Sequence, residues 1–131
     1  MGKLEGKVAI ITGASAGFGM ATAKMFAQEG CKLIITARRE ERLQKLAEEC
    51  RALGGDAVYY AGDATQEETA KACVKLAMDT YGQIDILINN AGIGRYTPLL
   101  ESSMEDYDLI MNTNVRSAFA FTRFTVPEML K

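Results

Sequence analysis

Histidine is missing from this 131-residue chain altogether, and its three cysteines, Cys31, Cys50 and Cys73, stand far apart with no Cys-x-x-Cys pair among them. These absences exclude a zinc site of the usual ligand spacing and a histidine-based catalytic triad. An odd number of scattered thiols suits a reducing compartment, so a cytoplasmic location is expected. An excess of one charge is lacking too: 15 Lys and Arg stand against 17 Asp and Glu, a formal net charge of −2. Such a chain has no general attraction for nucleic acid or for an anionic membrane surface, and any anion site must be local. No apolar run approaches the length of a membrane span. The polar start 1–7 is unlike a signal peptide, and Gly6 stands where a myristoylation motif wants Ser or Thr. What remains is one domain's worth of chain, with 48% hydrophobic and 24% charged residues, a composition that folds as a globular protein.

Strand and helix patterns alternate along it. Val8–Thr12 reads as a fully buried strand, and Gly17–Glu29 as a helix stopped by Gly30. Lys32–Ala37 is a second β-rich run; in Arg39–Leu53, Leu43, Leu46, Ala47, Cys50 and Leu53 share one helical face, and Gly54-Gly55 ends it. Ala57–Gly62 is a third strand. Thr65 with Glu68 has the form of a capping box and opens a helix to Tyr81, closed by Gly82. Ile84–Ile88 is a fourth strand. Ser102 with Glu105 looks like a second capping box, starting a helix to about Asn112, and Asn114–Lys131 is a long, mostly apolar helical stretch. Strands separated by helices pair in parallel through right-handed crossovers, so the expected fold is a doubly wound α/β sheet of about four strands with helices on both faces.

Between the first strand and its helix lies Thr12-Gly13-Ala14-Ser15-Ala16-Gly17-Phe18-Gly19. A strand that turns through glycines into a helix presents backbone N–H groups and a positive helix end to an anion. Gly13 lets the chain turn, Gly17 lets a pyrophosphate approach the backbone, and Gly19 lets the helix pack close to the sheet. The spacing is G-x-x-x-G-x-G, not the commoner G-x-G-x-x-G. At the end of the second strand, where a carboxylate would select NAD by binding the adenosine ribose, stand Ala37, Arg38 and Arg39. A guanidinium binds a 2′-phosphate through charge-assisted bonds that a carboxylate would repel. NADP(H) is therefore expected over NAD(H), with Arg38 the primary contact and Arg39 the auxiliary one; the blander alternative is a solvated helix start. Asp63 caps the next turn or accepts from an adenine amino group, and position alone does not separate the two. Asn89-Asn90-Ala91-Gly92, taken by itself, is an ordinary turn.

Together, the glycine loop, Asp63, the Asn89–Gly92 stretch and Asn112-x-Asn114-Val115 resemble the short-chain dehydrogenase/reductase family, in order and over essentially the whole chain. The resemblance implies that residues 1–131 form an NAD(P)-binding Rossmann-like domain. It implies a pyrophosphate loop at Gly13, Ser15, Gly17 and Gly19, with Phe18 in place of the more usual isoleucine. It further implies an adenine contact at Asp63 and the Ala64 backbone, and a nicotinamide-side ribose flanked by Asn90, Ala91 and Gly92. Asn114 matches the asparagine that holds a water in the family's proton relay; read without the family, it is a polar residue breaking two helical stretches.

The family's reaction moves a hydride between the nicotinamide and a carbonyl or alcohol carbon, with a tyrosine as acid/base and a lysine four residues on lowering its pKa. No tyrosine here has that lysine: position i+4 is Asp63 after Tyr59, Ala64 after Tyr60, Asp85 after Tyr81, Leu100 after Tyr96 and Met111 after Tyr107. The chain thus reads as the N-terminal, cofactor-binding portion of a longer oxidoreductase, inactive alone, or as a nucleotide-binding or dimerising module without chemistry of its own. Small-molecule carbonyl or alcohol substrates are expected for the longer parent, with Arg95, Tyr96 and Pro98 at the near edge of the substrate site. An unpaired fourth strand and exposed Phe and Met side chains on the last helix are expected as well, and with them self-association into a homo-oligomer.

Overall fold

The computed structural model describes residues 2–93 and 97–131. β1 (Val8–Thr12), α1 (Gly17–Gln28), β2 (Lys32–Ala37), α2 (Glu40–Ala52), β3 (Asp56–Ala61), α3 (Glu67–Tyr81) and β4 (Ile86–Ile88) alternate as the hydrophobic pattern predicts. After β4 come a single 3-10 turn at Leu99–Glu101, α4 (Met104–Met111), a π-helical turn at Asn112–Arg116 and α5 (Ser117–Met129). All strand pairs are parallel, in the order β3-β2-β1-β4, with Ile10 of β1 opposite Ile34 on one side and Leu87 on the other.

The two faces of the sheet follow from the alternation of side chains along the strands. Ala9, Ile11, Leu33 and Ile35 point to one side, where Ala23 and Ala27 of α1 and Leu43, Leu46, Ala47 and Cys50 of α2 cover them. Val8, Ile10 and Ile34 point to the other, against Ala70, Cys73 and Ala77 of α3 and Ala120 and Phe121 of α5. This is the expected doubly wound, Rossmann-like sheet with helices on both faces. β1 is buried at all five positions because both its edges and both its faces are taken.

Four local expectations need correction. The Thr65–Glu68 capping box does not form: α3 starts at Glu67, its N-cap Gln66 makes no side-chain cap, and the Thr65 hydroxyl and N–H both go to Asp63. The second capping box is offset by one residue, to Ser103 and Asp106, since the Ser102 hydroxyl donates instead to the Pro98 carbonyl at 3.1 Å. β4 is shorter than Ile84–Ile88; Asp85 precedes it and accepts the Val8 N–H on its carboxylate at 2.9 Å. And α4 and α5 are not broken at Asn114 but run on through the π-turn.

β4 pairs with β1 alone among the described residues. On α5, Phe121 is buried whereas Phe119 is 71% exposed, so the expected uncovered apolar surface exists on only part of that helix. Of the methionines beyond β4, Met104 and Met111 are exposed, but both lie on α4; Met129, the only one on α5, is partly buried in the core.

Candidate functional site

At the carboxyl ends of the strands, where the chain turns back across β1 to make β4, lies a cleft of about 350 Å³. Open α/β sheets bind ligands at such a reversal. The β1–α1 turn supplies Gly13 and Ser15 to its wall, and the end of β2 with the start of α2 supplies Ala37, Arg38, Arg39 and Arg42. Gly62, Asp63, Ala64 and Thr65 follow β3; Ala91, Gly92 and Ile93 follow β4; Thr113 reaches in from the π-turn.

The loop glycines have distinct jobs. Gly13 and Gly17 sit at φ +63 and +57, a region L side chains seldom occupy. A Cβ at Gly17 would meet nothing within 4 Å, so the backbone there faces open space. A Cβ at Gly19 would lie 2.3 Å from the Gly13 carbonyl oxygen and 2.6 Å from the Asn90 amide nitrogen, so Gly19 is what allows α1 to close on the turn. α1 begins at Gly17 with no side-chain cap and no acidic residue in its first turn, which leaves its positive end uncompensated. Phe18 stands 86% exposed beside it.

Thr12 ties this loop to the segment after β4. Its hydroxyl oxygen accepts the N–H groups of Asn90 and Ala91 at 3.0 and 2.9 Å, and the Asn90 amide donates to the Gly13 carbonyl at 3.2 Å. Asn90 is thereby a brace beneath the glycine turn, and its side chain is not part of the cleft wall. Ala91 and Gly92 do line it.

Arg38 and Asp63 face each other across the cleft mouth, Nη2 to Oδ2 at 3.4 Å. The other carboxylate oxygen of Asp63 accepts the Thr65 N–H at 2.9 Å and the Thr65 hydroxyl at 2.8 Å. The Thr65 N–H, and after it the Thr65 hydroxyl and the Arg38 guanidinium, hold the Asp63 carboxyl below the usual carboxylate range against the opposing effect of burial. Arg39 is the N-cap of α2, whose first turn carries Glu40 and Glu41, so the two arginines are not alone at that helix end. Arg42, one turn further on, completes a wall of three arginines; it lies beyond the expected pair Arg38 and Arg39, and the Arg39-x-x-Arg42 spacing on a helix is the signal for it in the sequence.

Asn114 engages both ends of its side-chain amide with the backbone of Ile93, accepting from its N–H at 2.7 Å and donating to its carbonyl at 2.9 Å. Arg116, two residues on, donates through Nε to the Thr65 carbonyl at 3.0 Å. The π-turn therefore holds the loops after both β3 and β4. Thr113 and Arg116 had no recognisable signal in the sequence, because their roles depend on a helix register that propensity does not fix.

Arg95 and Tyr96 lie outside the described residues; Pro98 is exposed at the start of the 3-10 turn. The Tyr81 hydroxyl is buried, and burial pushes its pKa up, which suits core packing and not acid–base work. Burial likewise pushes the thiols of Cys31, Cys50 and Cys73 up to about 11. Among the described residues there is no group of three metal-ligating side chains, and no helix is long and apolar enough to cross a membrane.

Residues 7–131 match the family model described as short chain dehydrogenase. A 3-oxoacyl-(acyl-carrier-protein) reductase of Thermotoga maritima is 40% identical over 129 residues, which are 98% of this chain and 52% of the relative. The structure of L-sorbose reductase from Gluconobacter frateurii, complexed with NADPH and L-sorbose, superposes with a TM-score of 0.90 at 35% identity, covering 98% of this chain and 49% of that one. An NAD+-bound xylitol dehydrogenase gives a TM-score of 0.92 at 32% identity, covering 98% and 50%. The chain spans about half the length of the relatives it matches.

Proposed function

Since the chain belongs to the short-chain dehydrogenase family, we propose that it is the cofactor-binding portion of an NADP(H)-dependent oxidoreductase acting on small carbonyl or alcohol substrates. The observation that carries this reading is the wall of Arg38, Arg39 and Arg42 at the cleft, next to Ala37 where a carboxylate would otherwise stand. The relatives include an NADPH complex and an NAD+ complex, so the fold accommodates both, and the basic wall favours the phosphorylated one.

The cleft fits such a dinucleotide in two respects. Gly17 leaves open space beside an uncapped helix end, as a pyrophosphate needs, and an acidic residue at that end is absent. When bound, the nicotinamide supplies the hydride or takes it up. This chain's own residues then have positional tasks. Gly13, Ser15 and Gly17 receive the phosphates, and Gly19 sets how closely α1 approaches them. Arg38 with Arg39 takes the 2′-phosphate, while Asp63 and Ala64 border the adenine. Ala91 and Gly92 flank the far ribose, on a segment that Asn90 braces from below and Asn114 holds through Ile93. With one Nδ2–H and one Oδ1 lone pair engaged by Ile93, Asn114 is held in place and keeps its second N–H, its second lone pair and its backbone for holding a water.

The absence of a Tyr-x-x-x-Lys pair favours a second statement: the 131 residues bind cofactor without turning it over, as a nucleotide-binding or self-associating unit. The half-exposed apolar helices support association into a homo-oligomer, and a cytoplasmic setting agrees with three reduced cysteines. Two measurements test this reading. NADPH should bind more tightly than NADH, and Arg38→Ala should remove about 1.5–3 kcal/mol of the difference, the scale of a charged hydrogen bond; equal affinity for the two cofactors overturns the preference. The chain alone should oxidise no NADPH above background with ketones or aldehydes, and robust turnover would require another proton donor.

A further inference from the structure

Asp63 divides its two carboxylate oxygens between two tasks. Oδ1 accepts both the N–H and the hydroxyl of Thr65 and so fixes the turn leaving β3. Oδ2 takes Nη2 of Arg38 from the opposite wall of the cleft, with the arginine side chain 70% and the aspartate 37% exposed. The two partners come from different strand ends, 25 residues apart in sequence, and only the sheet brings them together. The guanidinium groups of Arg39 and Arg42, on the same wall as Arg38, make no hydrogen bond or ion pair with any described residue.

We propose that Asp63, acting through Arg38, sets how strongly the cleft discriminates between a 2′-phosphorylated adenosine ligand and an unphosphorylated one. The proposal rests on reading the cleft as a nucleotide site. A 2′-phosphate and Asp63 Oδ2 seek the same guanidinium, so the carboxylate competes with the phosphate for its charge and for the orientation of its N–H groups. A ligand without the 2′-phosphate has no claim on Arg38 and leaves the pair as it is. Asp63 is thus a positioning residue for specificity, and it lowers the preference that the arginine wall would otherwise give. An exposed ion pair is weak, and the restraint is worth about two- to five-fold in affinity.

Asp63→Asn separates the two tasks, since the amide keeps an oxygen for Thr65 and places an NH2 group where Oδ2 stood. The probes are 2′,5′-ADP and 5′-AMP, titrated by calorimetry into the chain, its Asp63→Asn and Arg38→Ala variants and the double variant. The quantity read is the ratio of the two dissociation constants, in which any loss of an adenine contact cancels. Asp63→Asn should raise the preference for 2′,5′-ADP about two- to five-fold, and should add nothing in the Arg38→Ala background. An unchanged or lowered ratio overturns the proposal. So does an equal rise without Arg38, which would mean simple repulsion between carboxylate and phosphate. Asp63→Ser, which still accepts from the Thr65 N–H, repeats the measurement should the asparagine variant fail to fold. The starting ratio tests the cofactor reading independently: a value near one that rises in Asp63→Asn overturns the NADP(H) preference and supports the restraint. Failure of both probes to bind any variant overturns both.

Discussion

β2 and β4 flank the same central strand, yet their surroundings differ. Leu33, Ile34 and Ile35 of β2 are fully buried between two helical layers, with β3 paired beyond them. Ile86, Leu87 and Ile88 of β4 are only half-buried, pair with β1 alone among the described residues, and are followed by α4, which buries none of its side chains. Leu99, Leu100 and Met104 stand in solvent on that side, and Phe119 on α5 and Leu130 just after it are exposed. On the β2 side, each apolar face meets its cover within a neighbouring β-α unit, and the cleft wall built there is complete. On the β4 side, the apolar residues exceed the surface these residues offer to bury them. A well-packed cleft wall can therefore adjoin a region that leaves apolar surface exposed.

The sharpest way to break this contrast uses two phenylalanines on α5. Phe121→Ala empties a fully buried position against α3 and should cost about 3–5 kcal/mol, read from the urea midpoint. A loss below 1 kcal/mol would mean that α5 is not docked as described. On the cleft side, Gly19→Val forces a branched side chain onto the Gly13 carbonyl and should cost about 1–3 kcal/mol and abolish nucleotide binding. Gly17→Val should behave differently: its side chain meets open space, so the far-UV circular dichroism changes little, but a branched residue at φ +57 is strained by about 1–2 kcal/mol, and nucleotide binding falls sharply. Survival of binding there would reduce the loop to a plain turn. Phe119→Asp, by contrast, should leave the urea midpoint within about 0.5 kcal/mol. It should lower self-association in sedimentation velocity, and unchanged association would place the contact elsewhere.

The smallest effect near neutrality is that of the buried thiols. Well below pH 9 they are protonated in both the folded and the unfolded chain and stability does not depend on them. Above it the unfolded chain ionises while the folded thiols, raised to about 11, hold their protons. The urea midpoint should therefore fall as pH rises from 9 toward 11, more steeply than in a Cys50→Ala, Cys73→Ala double variant. Equal slopes would show that the thiols ionise normally.

The same contrast explains what was legible in the sequence. The strands, the glycine turn and the arginines at the end of β2 are written in short stretches whose meaning depends on near neighbours, and Val8–Thr12 and Lys32–Ala37 have the expected bounds. Misplaced features involve competition between partners. Thr65 has the right spacing for a cap but is claimed by Asp63, and Ser102 is claimed by Pro98, which hands the cap to Ser103. Arg42 joins the cleft through the pitch of α2, and Thr113 and Arg116 through a helical irregularity that only tertiary contacts impose. Read without the family, Asn114 is a polar residue breaking two helical stretches; its two hydrogen-bond partners belong to a residue 21 positions earlier, which no local pattern reveals.

The π-turn at Asn112–Arg116 also has a consequence for orientation. A turn closed by i→i+5 bonds carries one more residue than an α-helical turn, and each residue of a helix advances it by about 100°. The extra residue therefore acts as a phase shifter: it decides which stripe of α5 faces the sheet, independently of how α4 is oriented. Deleting one residue within the turn would leave a smooth helix whose downstream stripe is rotated by that angle, carrying Phe121 and Thr125 away from α3 and the strands. The same rotation would take Arg116 off the loop after β3 while Asn114 tried to keep the loop after β4. A defect of a single residue thus keeps the core side of one helix and the two lips of the cleft in a common register.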